Sequence, residues 1–456
     1  MSFIPIYILI LFFTIIIDYF AGILIEKSLT TWRKFFLALS IISNVSILCF
    51  FKYFNFFNNN MSLFLSLFKI DNPIPGLSII LPIGLSFHTF QAMSYVIEVY
   101  KGTQLAVRHL GIYALYVMFY PQLVAGPIER PQNLLPQFYA HHKFNYLMFT
   151  DGLKLMCWGF FKKLVIADRL CLFVSPVYAN PRDFQGISFI FSTVLFAFQI
   201  YCDFSGYSDI AIGAAQVMGF KLMQNFDRPY LSTSISEFWR RWHISLTTWF
   251  KDYVYIPLGG NRGAFYRRYL NLLLVFLLSG LWHGASWTFV IWGGINGIYL
   301  IFGALTKSIR NKIVNHIGLT KFPKIYRFVQ TITTFCLICF SWIFFRAESV
   351  SDAFYISKNL FVGVGNWLYN FFTHLTHSSS GKIEPLLIGN FPSTLVIALC
   401  SLVLLILIEL MQQTQNIIDL LRDKNIFVRW CIYYAIVLII LIFGVYSNAK
   451  FIYFQF

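Results

Sequence analysis

Ser279–Gly297 reads SGLWHGASWTFVIWGGING, a stretch without Lys, Arg, Asp or Glu that still places one ionisable side chain, His283, between Trp282 and Gly284. It lies inside a longer apolar run, Leu270–Leu305. As a single helix that run would measure roughly 54 Å at ~1.5 Å per residue, against a bilayer core about 30 Å thick. Its flanks decide how it is used. Lys307–Arg327 carries Lys307, Arg310, Lys312, Lys321, Lys324 and Arg327 with no acid, and Lys221–Arg268 carries Arg240, Arg241, Lys251, Arg262, Arg267 and Arg268 against Asp227, Glu237 and Asp252. Excess Lys and Arg mark cytoplasmic loops. A run that begins and ends on one side must enter and return, so the pattern predicts a hairpin of two short helices. Ser279, Gly280 and Gly284 mark its break, and His283 sits near its tip, deep in the membrane. The loop Glu348–Asn390, nearly balanced in charge, belongs on the opposite side.

Composition carries the same class over the whole chain. Of 456 residues, 58% are hydrophobic and 12% charged, about half the charged share of a soluble domain. Apolar runs recur at Phe3–Ile25, Phe35–Phe57, Leu77–Val99, Leu110–Ala125, Leu147–Ala167, Ile187–Tyr201, Ile210–Phe220, Leu270–Leu305, Tyr326–Phe345, Thr394–Met411 and Phe427–Val445. They do not alternate as barrel strands would. The fold class is therefore an all-α polytopic integral membrane protein. Several runs are too short for a full crossing, which predicts re-entrant or partly buried helices around a cavity. No linker, low-complexity tract or repeat divides residues 1–456, so a single membrane domain of about 10–12 embedded helices is expected, with its core near residues 77–305.

The net charge of +16 fits cytoplasmic loops facing anionic lipid, and no basic segment forms a nucleic-acid module. Most of the eight cysteines lie in apolar runs; Cys336-x-x-Cys339 sits mid-span without a second pair and reads as packing. The N-terminal stretch lacks a basic n-region and a small-residue cleavage site, so it reads as a retained first span.

A polar side chain at membrane depth faces a cavity or a partner, and histidine is suited to proton transfer near neutral pH. On these grounds His283 is either a functional base or a structural donor to a backbone carbonyl. His243 lies in SISEFWRRWHISLTTWFKDYVYIPLGGNR, Ser234–Arg262. This reads as an amphipathic interfacial helix with Trp239, Trp242, Trp249 and Phe250 at the membrane surface and Arg240 and Arg241 among headgroups. The same cations would also suit a phosphate-bearing donor. His88 reads as a satisfied core histidine. His141-His142 and His374-x-x-His377 lack neighbouring thiolates or carboxylates, so no metal centre is expected. Asp203 and Asp209 in CDFSGYSDIAIG flank a Gly/Ser turn between short apolar segments; paired carboxylates suit acid–base work, and helix capping by Ser208 or Asp209 is the simpler explanation.

Seven stretches, in order, resemble the membrane-bound O-acyltransferase (MBOAT) family in its bacterial alginate O-acetyltransferase (AlgI-like) branch. They are LPIGLSFHTFQAMSYVIEVYKG, FYPQLVAGPIERPQNLLPQF, GFFKKLVIADRL, QIYCDFSGYSDIAIGAAQVMGF, NFDRPYLSTSISEFWRRWHISLTTWFKDYVYIPLGGNR, SGLWHGASWTFVIWGGING and the closing FIYFQF. The resemblance implies a helical core with a funnel on each face joined by a narrow central passage. It implies an essential histidine at His283 and a second functional histidine, His243, near the cytoplasmic entrance, with Trp282 and Trp242 shaping the passage. Arg240 and Arg241 would attract donor phosphates, and Asp203 and Asp209 are candidate substrate-binding residues. It further implies a multi-pass protein of the bacterial inner membrane with no bound cofactor and acetyl-CoA or another acyl thioester as donor. The acceptor would be an extracytoplasmic SGNH/AlgX-like protein, with O-acetylation of a polysaccharide as the end result, as in alginate biosynthesis. Members of this branch usually begin one or two hydrophobic segments earlier, so a shorter member or a truncated start is expected. Two alternatives stand beside this reading. One is D-alanyl transfer to teichoic acid of the DltB type, from a carrier protein. The other is a non-enzymatic transporter, which should show inverted repeats that the sequence lacks.

Overall fold

A computed structural model describes residues 5–78, 82, 84–373, 384–414, 417–446 and 451–452; His374, His377 and the last four residues of FIYFQF lie outside them. The described residues form helices and no strand. Ile8–Lys27 (α1) pairs with Thr30–Leu48 (α2), which continues through a π turn at Cys49–Tyr53 into Phe54–Ser66 (α3). Leu85–Lys101 (α4) and Leu110–Met118 (α5) follow. Tyr146–Phe160 (α6) runs through a second π turn, Phe161–Ala167, into Asp168–Ala179 (α7). Ile187–Val217 (α8), the short pair Ile235–Arg241 (α9) and Ile244–Phe250 (α10), and the hairpin Phe265–His283 (α11) and Trp287–Leu305 (α12) come next. Lys307–His316 (α13), Pro323–Arg346 (α14), Val350–Asn359 (α15), Pro392–Met411 (α16) and Ile426–Phe443 (α17) complete the set used below.

Seven helical segments among the described residues are long and apolar enough to cross a membrane: 8–27, 30–66, 187–217, 287–305, 323–346, 392–411 and 426–443. Apolar outward faces are what lipid requires; α17, for instance, has no buried residue and exposes Leu438, Leu441 and Ile442. The protein is a multi-pass helical membrane protein.

Two sequence expectations need correction. The hairpin is present, but its arms are 19 residues each, about 28 Å long and close to a full crossing. Ser279 and Gly280 lie inside α11, and of the three residues expected at the break only Gly284 is in it, at residues 284–286. Gly280 serves contact rather than bending: a Cβ there would run into the Phe289 carbonyl, and one on Gly293 into the Phe276 carbonyl. The second correction concerns CDFSGYSDIAIG, which is no turn. It lies within α8, one helix of 31 residues that merges two expected spans.

The small residues that suggested a turn instead form a seam with α6. Gly152 faces Gly213 and Gly159 faces Gly206, in antiparallel register; a Cβ on any of the four would come within 2.5–2.8 Å of the opposite glycine's carbonyl oxygen. Such small-residue apposition lets backbones touch where lipid supplies no hydrophobic drive between helices. Beyond Gly159, the π turn presents Lys162 and Lys163 to the same face of α8. Lys162 ion-pairs with Asp209 (2.5 Å) and donates to Ser205 (2.9 Å). Lys163 pairs with Asp203 (2.6 Å) and Asp168 (2.8 Å). Asp203 and Asp209 are thus helix-interior carboxylates engaged by lysines, not caps. The other Asp203 oxygen accepts the Ile452 N–H (2.8 Å), which ties the C-terminal stretch to α8.

The seam predicts that Gly206→Leu forces α6 and α8 apart, an overpacking cost of about 1–3 kcal/mol or more. Gly303, where a Cβ would meet nothing within 4 Å, is the control. Thermal unfolding in detergent should show Gly206→Leu melting several degrees below wild type and Gly303→Ala unchanged.

Candidate active site

His283 is the last residue of α11. The helix stops there because Gly284 is extended (φ −159°), and Ser286 restarts the chain as the N-cap of α12, its hydroxyl accepting the Thr288 N–H at 3.3 Å. A side chain on Gly284 would strike the Phe289 ring, so glycine lets α12 pack hard against the tip. The imidazole is 5% exposed and boxed by aromatic edges. Its centroid lies 5.0 Å from Trp282, 5.1 Å from Trp292 and 5.5 Å from Phe345. Trp292 in turn stacks on Trp342 of α14 at 5.7 Å.

His243 occupies the corner between α9 and α10 and is 1% exposed. It adopts a left-handed conformation (φ 43°, ψ 56°), which costs a non-glycine residue about 1–2 kcal/mol and so must be held by its surroundings. The holder is Asn225, fully buried in the preceding loop. Its carbonyl accepts the Ile244 N–H (2.9 Å), and its side-chain oxygen accepts both the N–H (3.2 Å) and the hydroxyl (2.9 Å) of Ser245. Its amide donates to Ser208 of α8 (3.3 Å). The fixed turn aims His243 Nδ1 at the Leu246 N–H (3.4 Å). A nitrogen that accepts from a backbone N–H carries no proton, so the neutral ring bears its proton on Nε2.

One side chain joins the two histidines. Trp282 lies edge-on to both, 5.0 Å from His283 and 6.2 Å from His243. Phe87 of α4 closes the other side, 6.2 Å from His243 and 5.4 Å from Trp282, and Phe204 of α8 packs 4.6 Å from His243.

Other expected site residues are placed differently. The interfacial reading of Ser234–Arg262 does not hold for its aromatic residues, since Trp239, Trp242, Trp249 and Phe250 are all buried. α9 and α10 have only seven residues each, and the connection between them turns these rings into the core. His243 is accordingly an interior group one ring away from His283. Trp242 packs on Trp342 (5.1 Å) and Phe238 (5.4 Å), behind His243. Arg241 is paired with Glu237 (2.6 Å), while Arg240 is exposed. Asp203 and Asp209 are held by Lys163 and Lys162. His88 is a core histidine whose Nε2 meets the Thr14 hydroxyl at 2.7 Å. Among the described residues no three His, Cys, Asp or Glu side chains gather as a metal site. Cavities of about 300 Å³ between α6 and α17 and about 250 Å³ beside His142–Asn145 are lined by neither functional candidate.

Asn225 was not singled out by sequence. Its only signal is its place in the NFDRPYL stretch; nothing in a hydrophobic pattern announces a side chain that braces the turn at His243.

Comparison with known proteins agrees with this geometry. The model of the membrane-bound O-acyltransferase family matches residues 28–347, a range that includes both histidines. The chain is 40% identical to a probable alginate O-acetylase of Azotobacter vinelandii, over 73% of its own length and 63% of that protein's. It is 36% identical to a peptidoglycan O-acetyltransferase of Helicobacter pylori, over 76% and 68%. It is 29% identical to a teichoic acid D-alanyltransferase of Streptococcus thermophilus, over 64% and 75%. The chain spans 53–65% of the length of the alginate relatives it matches. With two buried histidines sharing a tryptophan wall and a family match running through both, the chain belongs to the membrane-bound O-acyltransferase family.

Proposed function

We propose that the protein moves an acyl group, acetyl in the best-supported reading, from a cytoplasmic thioester such as acetyl-CoA to a hydroxyl presented from the other side of the bacterial inner membrane. The observation that carries this reading is the pair of sealed imidazoles on either side of Trp282. His283 removes the hydroxyl proton as the oxygen attacks the thioester carbonyl, the C–S bond breaks, and the thiolate leaves to take up a proton. His243, with its proton on Nε2, is suited to donate a hydrogen bond to the carbonyl oxygen as it gains negative charge. Ser245, whose hydroxyl lies 3.5 Å from His243 Nδ1, gives its proton to Asn225 at 2.9 Å. It is not set up as a nucleophile, which favours direct transfer over an acyl-enzyme.

The acceptor is an extracytoplasmic partner of the SGNH/AlgX type that passes the group to a polysaccharide. The cytoplasmic side is assigned from the basic segments around α9–α11 and α13. Higher identity to alginate and peptidoglycan O-acetylating relatives than to the D-alanyltransferase favours acetyl over D-alanyl. Because both imidazoles are nearly sealed, the acyl group reaches them only as the surrounding rings part, with Trp282 and Phe87 the walls that face His243.

The deciding measurement is which radiolabelled acyl thioester the protein consumes in membranes that contain its acceptor; consumption of D-alanyl carrier protein but not acetyl-CoA would reverse the donor assignment. Folded His283→Ala should lose about 10²–10⁴-fold in rate, the usual worth of a general base, while full polymer acetylation in that variant would remove His283 from the chemistry. Asn225→Ala releases the left-handed turn and should lower kcat by about 10- to 100-fold through misplacement of His243. Steady-state kinetics beside a melting curve will separate that effect from unfolding.

A further inference from the structure

The end of α11 is held by a helix far away in sequence. The last carbonyls of any helix lack partners within it, and a cation near them is favourable. The last turn of α11 supplies no Lys or Arg of its own. The π turn between α2 and α3 provides both needs. Tyr53 donates its hydroxyl proton to the Leu281 carbonyl (2.9 Å), and the Lys52 ammonium donates to the carbonyls of Trp282 (2.6 Å) and His283 (3.1 Å). Three consecutive carbonyls, ending at His283, are capped from one turn. Further along the same helix face, Asn60 accepts the Trp287 indole N–H at the start of α12 (2.8 Å), and Phe56 packs on that ring at 5.7 Å. The grip therefore covers both sides of the hairpin tip. Lys52 also lies 5.9 Å from the Trp282 ring centroid.

A lysine at this depth is costly unless its charge is used or matched. Here it is matched by the negative end of α11. A π turn inside a long helix shifts the side chains that follow it and recurs at functional sites. In this protein it brings Lys52 and Tyr53 to the tip together.

We propose that Lys52, with Tyr53 as a second hold, is a positioning residue for His283: it fixes the carbonyl end of α11 and thereby the place of the imidazole beside Trp282. The inference rests on the reading of His283 as the base.

The test compares wild type, Lys52→Gln, Lys52→Arg, Tyr53→Phe and His283→Ala in membranes that hold the native acceptor, following release of CoA thiol from acetyl-CoA, with a melting curve for each purified protein. Loss of positioning predicts a kcat about 10- to 100-fold lower in Lys52→Gln, with KM for acetyl-CoA within about 2-fold of wild type and an unchanged melting temperature. Tyr53→Phe, which loses one neutral hydrogen bond, should lose less. Lys52→Arg, which keeps charge and donors, should regain most of the rate. Wild-type kcat in Lys52→Gln overturns the proposal. So does activity in Lys52→Gln and Tyr53→Phe that falls only in step with lost folded protein. If His283→Ala is inactive while Lys52→Gln is normal, only this inference fails; if His283→Ala keeps full activity, the base assignment fails first.

Discussion

The backbone contact between α11 and α12 is the constraint on which the site depends. Gly280, Gly284 and Gly293 remove the side chains that would hold the two helices apart, so the chain can turn within three residues and leave His283 on the inner side of the tip. Everything around that tip is arranged to keep it there. Trp292 and Phe345 wall the imidazole, Trp342 backs Trp292, and Lys52 and Tyr53 cap the carbonyls behind it. A bulkier residue at Gly280 would press on the Phe289 carbonyl and push α12, with Trp292, away from the imidazole.

Buried polar side chains away from the tip meet one another. Asp18 is met by Ser40 and Asn44, His88 by Thr14, Tyr201 by Glu409, and the two lysines of the second π turn by Asp203, Asp209 and Asp168. Apart from Lys163–Asp168, which lies within one continuous helix, each of these ties one helix to another. Both histidine rings are packed mainly by aromatic faces and edges, with a shared tryptophan between them. Low polarity around a reacting carbonyl strengthens every charge and dipole aimed at it, which is the environment the proposed acyl transfer calls for.

How much of this is legible in the sequence follows the physics of each signal. Burial in lipid imposes long apolar runs, and those runs match α1, α12, α14, α16 and α17 to within a few residues at the ends they share. Helix ends and breaks are harder to read, because small residues are ambiguous: Gly and Ser mark turns in water but close helix contacts in a membrane. Hence SGYS has the composition of a turn and is part of the α6–α8 seam, and Ser279-Gly280 has the composition of a hairpin break while Gly280 is its contact surface. The aromatic-rich Ser234–Arg262 stretch misleads for a similar reason. Tryptophan suits both a headgroup layer and a crowded core, and only its neighbours in space tell which.

By itself the sequence determined the class, a multi-pass helical protein, and the return path of Leu270–Leu305, because hydropathy and flanking charge act locally and survive in one dimension. It also placed His283 near the tip of that hairpin, and its motifs pointed to the family. The tertiary structure alone decided that His243 lies a single ring from His283, that Asp203 and Asp209 are occupied by lysines, and that Asn225, Lys52 and Tyr53 brace the two histidines. These are contacts between distant segments, most of them made by hydrogen bonds to backbone groups. Such bonds depend on where a carbonyl or N–H is left unpaired, a property of the folded helices that no residue type records.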